Sequence, residues 1–265
     1  MRALLWSVRR ELWEHRWVYM VPAVVGGVLI AVMGGTLLFG SSANNAGISR
    51  LFDHATRMLL LMGTVSTYVY CAEALHTERR DGSIIFWKAL PVSDAIAVLG
   101  KAAVALVVMP LLTLATLLVA QGIAHIASLR TGVPLTALLA SPWGAALEVL
   151  ASAIWIAPVY AWLLLVSAWV RRAVLLMAFL PAFLISIVEQ MVTGRHTIAR
   201  ELFKRGVGRH WPSGLGGPLS ATSDGLIQTP AHVLLVSWSL WAGALLAALL
   251  LALAVMARRR QLARS

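Results

Sequence analysis

Apolar positions along this 265-residue chain come in long runs, not at the intervals of a half-buried helix or strand. Six runs stand out, over 18–39, 58–75, 96–120, 145–169, 174–192 and 233–256. A helix of about 20 such residues crosses the ~30 Å hydrocarbon core of a bilayer. The pattern therefore predicts an all-α, polytopic membrane protein with six spans. The second run is the least uniform, carrying Cys71 and Glu73 near its end, and the fifth is short and holds Pro181. Pro22, Pro110 and Pro158 fall in or at the edges of other runs. Neighbouring helices can satisfy the backbone groups that proline frees, so kinks are expected there.

The first 17 residues are too polar to span. On a helical wheel Leu5, Val8 and Leu12 lie on one side and Trp6 and Trp13 on another, with Arg2, Arg9 and Arg16 recurring between them. Ser7, Arg10, Glu11 and Glu14 form the wettest arc. Arginine stems can lie along apolar surface while their heads stay wet. Residues 1–17 thus read as an amphipathic helix on a membrane surface, with membrane lipid as its partner. They are not expected to be a cleaved signal peptide, because the run that follows is longer than the usual h-region.

Composition agrees with this picture. The chain is 60% hydrophobic and 12% charged, where soluble domains carry about 25% charged residues. Its net charge of +11 does not point to nucleic acid, because the basic residues gather at the ends of the runs. With both termini inside, the cytoplasmic segments hold fourteen of the 22 basic residues and the outer ones eight, the bias that orients membrane proteins. Only three basic residues are lysines, a bias typical of GC-rich bacteria. The expected location is a bacterial cytoplasmic (inner) membrane. The six-span domain then covers 18–256, with an outer loop at 193–230 and a basic cytoplasmic tail at 257–265. A single cysteine, Cys71, leaves no internal disulfide framework.

Between the second and third runs lies HTERRDGSIIFWKALPVSD, residues 76–94, holding Glu78, Arg79, Arg80, Asp81, Lys88 and Asp94. One charge at mid-bilayer costs roughly 2.5–3.5 kcal/mol on insertion scales, so six exclude this stretch from hydrocarbon. Asp81, Gly82 and Ser83 are turn chemistry, and Leu90-Pro91 ends any helix begun before it. Ser93 or Asp94 can cap the helix that follows. What remains is a short helix over 84–89 whose apolar centre, Ile84, Ile85, Phe86 and Trp87, is flanked by charge. Such a face is a docking surface.

These residues resemble the membrane subunits of ATP-binding cassette transporters of the type-2 exporter class. In that family the corresponding loop reads Glu, basic residue, Gly-Thr or Gly-Ser, an apolar pair, Leu-Pro-Val-Ser and a later lysine. Here the pattern is Glu78, Arg79, Arg80, Gly82, Ser83, Ile84, Ile85, Leu90, Pro91, Val92, Ser93 and Lys101. Asp94 departs from it, since many relatives carry a basic residue there. The resemblance implies that 76–94 is a coupling helix seated in a groove of a separate ATPase subunit. It also implies a second permease subunit, identical or related, and a translocation pathway formed by the dimer. ATP and Mg²⁺ would then bind in the partner and no cofactor in this chain. No lysine here is followed by Ser or Thr, so a P-loop is absent from the sequence. The chain itself is expected not to be an enzyme.

Three carboxylates near run ends, Glu73, Glu148 and Glu189, are candidates for a pathway or gate. For Glu73, pairing with Arg79 or Arg80 is the stronger expectation. The histidines lack metal-ligand spacing and Cys71 stands alone, so no metal site is expected. Gly26-Gly27 and Gly34-Gly35 would permit close helix approach, within the subunit or between two. A self-contained secondary transporter or channel is the alternative, as is a membrane anchor or assembly factor without transport activity.

Overall fold

The computed structural model describes residues 2–39, 45–76, 93–131, 142–170, 173–194 and 235–262, together with 197, 201, 205 and 206. No strand occurs among them. The helices are α1 (Arg2–Glu14), α2 (Arg16–Phe39), α3 (Asn45–Glu73) and α4 (Asp94–Ala103), followed by a π turn (Val104–Val108). After it come α5 (Met109–Thr131), α6 (Pro142–Trp169), α7 (Val174–Thr193) and α8 (Trp238–Leu262). Within the described residues, each of the six apolar runs falls mainly on one of these helical stretches. The third is longer than its run, since α4, the π turn and α5 join into one rod.

Among the described residues, four helical stretches are long and apolar enough to cross a membrane: Asp94–Ile123, Trp143–Trp169, Val174–Thr193 and Trp238–Arg259. A fifth counts if α1 and α2, which meet at a 68° bend, are taken as one broken span. The bend lies at His15, two residues before the boundary expected from the polarity of the leader. The described residues are therefore all-helical, and four or five of their helices are long and apolar enough to span a membrane.

α3 is not among those stretches, because Arg50, Asp53, Arg57 and its hydroxyl-bearing residues make it less apolar than the others. It packs against α2, α5 and α6, and it buries Thr64, Ser66, Thr67, Tyr68 and Tyr70. Thr64 and Thr67 donate their hydroxyl protons to the carbonyls of Leu60 and Gly63, at 2.9 and 2.7 Å. Those carbonyls belong to α3 itself, so the two hydroxyls are satisfied within the helix. α6 is the hub. It lies against α3, α5, α7 and most extensively α8, and its Ile156, Leu163 and Leu164 are among the fully buried side chains.

Prolines 22, 158 and 181 sit inside continuous helices. Pro110 is the second residue after the π turn. Of the glycine pairs, Gly26 faces Leu59 and Thr116, which a Cβ there would meet at 3.4 and 3.5 Å, so it serves contact within the subunit. Nothing described lies within 4 Å of a Cβ at Gly27, Gly34 or Gly35.

α1 corrects the wheel. Val8 and Leu12 do pack against the core, and Trp6 and Trp13 are exposed with the Arg9 guanidinium 5.6 and 6.0 Å from their rings. Leu5, grouped with the apolar side, is 67% exposed, and Glu11, placed on the wettest arc, is 2% exposed. The helix is turned so that Glu11 meets a buried cation on α4.

Candidate functional site: a buried ion pair beside the 77–92 segment

The cation is Lys101. It lies in the last turn of α4, is wholly buried, and donates from Nζ to Glu11 Oε1 at 2.7 Å. The Tyr70 hydroxyl, from α3, donates to Glu11 Oε2 at 3.2 Å. His15 closes the group: its Nδ1 is 3.8 Å from Glu11 Oε2 and its ring meets Tyr70 edge-on at 5.7 Å. Three helices must converge for this to happen. Gly100 permits it, because a Cβ there would overlap the Ser7 hydroxyl of α1. Two charges out of water are costly, and a geometry this close with further hydrogen bonds is what offsets the desolvation.

The same end of the bundle fixes both points where the chain leaves and re-enters at 77–92. On the leaving side, Ser167 Oγ of α6 accepts from the backbone N–H groups of Leu75 and His76 at 3.2 and 3.0 Å. On the returning side, Ser93 caps α4, its Oγ accepting from Ile96 N–H at 3.4 Å. Asp94 accepts from Arg258 Nε of α8 at 3.3 Å, which accounts for an acid where a base was expected. Asp94 therefore serves the first turn of its own helix, where a negative charge is favoured, and ties α4 to α8.

Glu11, Glu14 and His15 also place three ligand atoms within 4.8 Å of one another. Both carboxylates already serve cations, Glu11 through Lys101 and Glu14 through Arg10 at 2.8 and 3.3 Å. A metal ion would have to displace them, so the grouping reads as an ion-pair network.

The coupling residues expected from the sequence, Glu78 through Pro91, lie outside the described residues. Glu73 ends α3 and is exposed. Glu148, near the start of α6, accepts from Ser152 Oγ at 3.4 Å. Glu189, near the end of α7, accepts from Thr197 N–H at 3.1 Å. Because α3 ends where α6 ends and α7 begins, Glu73 is at the opposite end of the bundle from the other two. The structure does not bring the three carboxylates together.

Between α7 and α8, Arg205 reaches into the bundle. Its Nη2 donates to Ser239 O at 2.9 Å and its Nε to Trp155 O at 3.4 Å, with the guanidinium 4.9 Å from the Trp155 ring. Burial lowers its pKa from the ordinary value, and the Glu201 carboxylate opposes that shift. Tyr68 of α3 donates to the neighbouring Gly206 carbonyl at 2.7 Å. Arg205 is thus spent on protein carbonyls and an aromatic face.

Sequence reading missed the roles of Glu11, Tyr70, Ser167, Arg205 and Arg258. One signal was available: Lys101 stands six residues inside an apolar run, and a lysine there needs a partner. Comparison with protein-family models, with curated proteins and with solved structures gives no match.

Proposed function

We propose that this chain is the membrane-spanning permease subunit of an ATP-binding cassette exporter, driven by a separate ATPase subunit. In this reading α2, α3, α4 with α5, α6, α7 and α8 are six crossings, both termini face the cytoplasm, and two such subunits form the pathway. The observation that carries it is the anchoring on either side of 77–92. A segment with the charge-flanked apolar centre Ile84, Ile85, Phe86 and Trp87 is tethered at one side through Ser167 and at the other through Asp94–Arg258 and Lys101–Glu11. A partner pulling on that segment would move α3 and α4 together with α1, α6 and α8, as a lever requires.

The coupling residues Glu78, Arg79, Arg80, Asp81, Gly82, Ser83, Ile84, Ile85, Phe86, Trp87, Leu90 and Pro91 would contact the ATPase. The proposal is tested by purifying the chain from its native membrane and asking whether an ATPase accompanies it. Phe86→Glu with Trp87→Glu, and separately Gly82→Val, should abolish that association and any transport-coupled ATP hydrolysis. Association unchanged in both variants, or cargo moved by the isolated polypeptide, overturns it.

A self-contained transporter has one observation in its favour. Lys101, Glu11, Tyr70 and His15 form a buried chain of titratable groups, the kind that relays protons through membrane proteins. That reading requires uptake or efflux in vesicles driven by a proton gradient alone.

A further inference from the structure

The buried ion pair settles which way α1 faces. Glu11 is held by Lys101 of α4, and Val8 and Leu12 pack against the core beside it. The helix cannot roll without breaking that pair, so its outer face is fixed. On a helix of 3.6 residues per turn, Leu5, Trp6, Arg9 and Trp13 fall within about 100° of one another on that face. All four are exposed, the two indoles by 67 and 65%. Arg16, at the bend into α2, is exposed as well.

The free charge on this surface has one sign. Both carboxylates of α1 are engaged, Glu11 with Lys101 and Glu14 with Arg10. Arg9 and Arg16 form no ion pair among the described residues. The Arg9 guanidinium lies 5.6 Å from the Trp6 ring and 6.0 Å from the Trp13 ring, a range at which cation and ring attract. Two indoles seven residues apart thus steady one guanidinium, whose planar fork matches a phosphate with two parallel hydrogen bonds. Exposed indoles belong at the headgroup level of a bilayer. α1 leaves α2 at 68°, so with α2 crossing, α1 runs closer to the membrane plane than to its normal. Trp169 ends α6 at the same end of the bundle and is likewise exposed.

We propose that this face of α1 is a docking surface for anionic phospholipid. Headgroup phosphates meet Arg9 and Arg16, while Leu5, Trp6 and Trp13 sit at the boundary of the acyl chains. A zwitterionic headgroup carries its own cation beside the phosphate; a headgroup of net negative charge leaves the phosphate to the arginines. Lipid held here favours the docked position of α1, and with it the Glu11–Lys101 pair on the opposite face. The sequence pointed to membrane lipid in general as the partner of this helix; the geometry adds the sign of the headgroup and the side chains that read it. The surface is separate from 77–92, so it stands whether or not an ATPase binds.

The test uses the purified full-length protein in a non-ionic detergent, with the thermal unfolding midpoint as readout. Short-chain phosphatidylglycerol, short-chain phosphatidylcholine and inorganic phosphate are titrated separately at fixed ionic strength. Phosphatidylglycerol should raise the midpoint saturably and well above phosphatidylcholine, and phosphate should not raise it. Arg9→Gln and Arg16→Gln should each raise the half-saturating concentration of phosphatidylglycerol about fivefold, the factor for ~1 kcal/mol per basic residue at an anionic surface. Trp6→Ala with Trp13→Ala should shift it the same way, because Arg9 then loses both rings. Glu14→Gln, which releases Arg10, should lower it. Both arginines are exposed, so the midpoint without lipid should stay where it is in their variants. Equal midpoints in the two lipids would overturn the proposal. So would a phosphatidylglycerol effect that both arginine variants leave unchanged, which would put the lipid on another basic surface of the chain. A matching rise with inorganic phosphate would make the arginines a site for free anions and would overturn it too.

Discussion

α6 and α7 follow one another in the chain and are almost equally apolar, yet 72% of one apolar window is buried inside the protein against 11% of the other. The difference lies in side-chain size and spacing. α6 repeats small residues every fourth position, Ala153, Ala157 and Ala161, and two of these cluster with Ala247 of α8. Close packing of this kind drives association where lipid removes the hydrophobic gain. α7 has its own short stripe, Ala178, Ala182 and Ser186, with Ala178 buried and accepting from Trp162 Nε1 at 3.0 Å. Its other faces carry Leu176, Phe179, Phe183, Leu184 and Met191, all exposed. Apolarity places a helix in the membrane, and small residues at helical spacing decide which face meets protein.

The contrast breaks hardest where the interior holds charge. Lys101→Met leaves Glu11 buried without its cation and should cost about 3–5 kcal/mol of stability, read by denaturant or thermal unfolding in detergent. Glu11→Leu combined with Lys101→Met should recover much of that loss, since apolar groups can replace a buried pair. If the single and double variants are equally unstable, the pair is not what holds α1 to α4.

Two changes on α6 come next. Ala161→Leu overfills the seam with α8 and should cost roughly 1–3 kcal/mol. Ser167→Ala removes the acceptor of two backbone N–H groups at the end of α3 and should cost about 1–3 kcal/mol. The second variant carries an extra expectation: amide exchange at Leu75 and His76 should quicken, while exchange in α7 stays as it was. Uniform loosening would place Ser167 in general packing instead.

These sites show what sequence could and could not reveal. The six apolar runs were legible because each helix must be apolar over its own length, and within the described residues all six lie mainly on helices. α3 was read as a span like the others, and its buried Thr64, Ser66, Thr67, Tyr68 and Tyr70 make it the least uniformly apolar of them. The Ser93 cap was visible as local chemistry. Glu11 was misplaced because a wheel reports one helix, while its partner Lys101 is 90 residues away. Asp94 seemed a departure for the same reason: Arg258, its partner, lies 164 residues on. The 77–92 residues carry the functional reading through their chemistry and through the anchors on either side.

The smallest expected effect is also the cleanest test of the contrast. Phe183 on α7 is 63% exposed, so Phe183→Leu exchanges one hydrocarbon surface for another against detergent or lipid. Surface changes of this kind stay within about 0.5 kcal/mol. Ala178→Leu, about one and a half turns away on the packed side, enlarges a residue that is 3% exposed, and overpacking costs roughly 1–3 kcal/mol. The two variants lie on one helix at similar depth, so membrane insertion is nearly the same for both and only the surroundings differ. A loss at Phe183 matching that at Ala178 would mean that α7 is packed on both sides. If that loss appeared in native membranes but not in dilute detergent, the covering surface would belong to another subunit, and α7 would be the helix to examine first in any assembled pair.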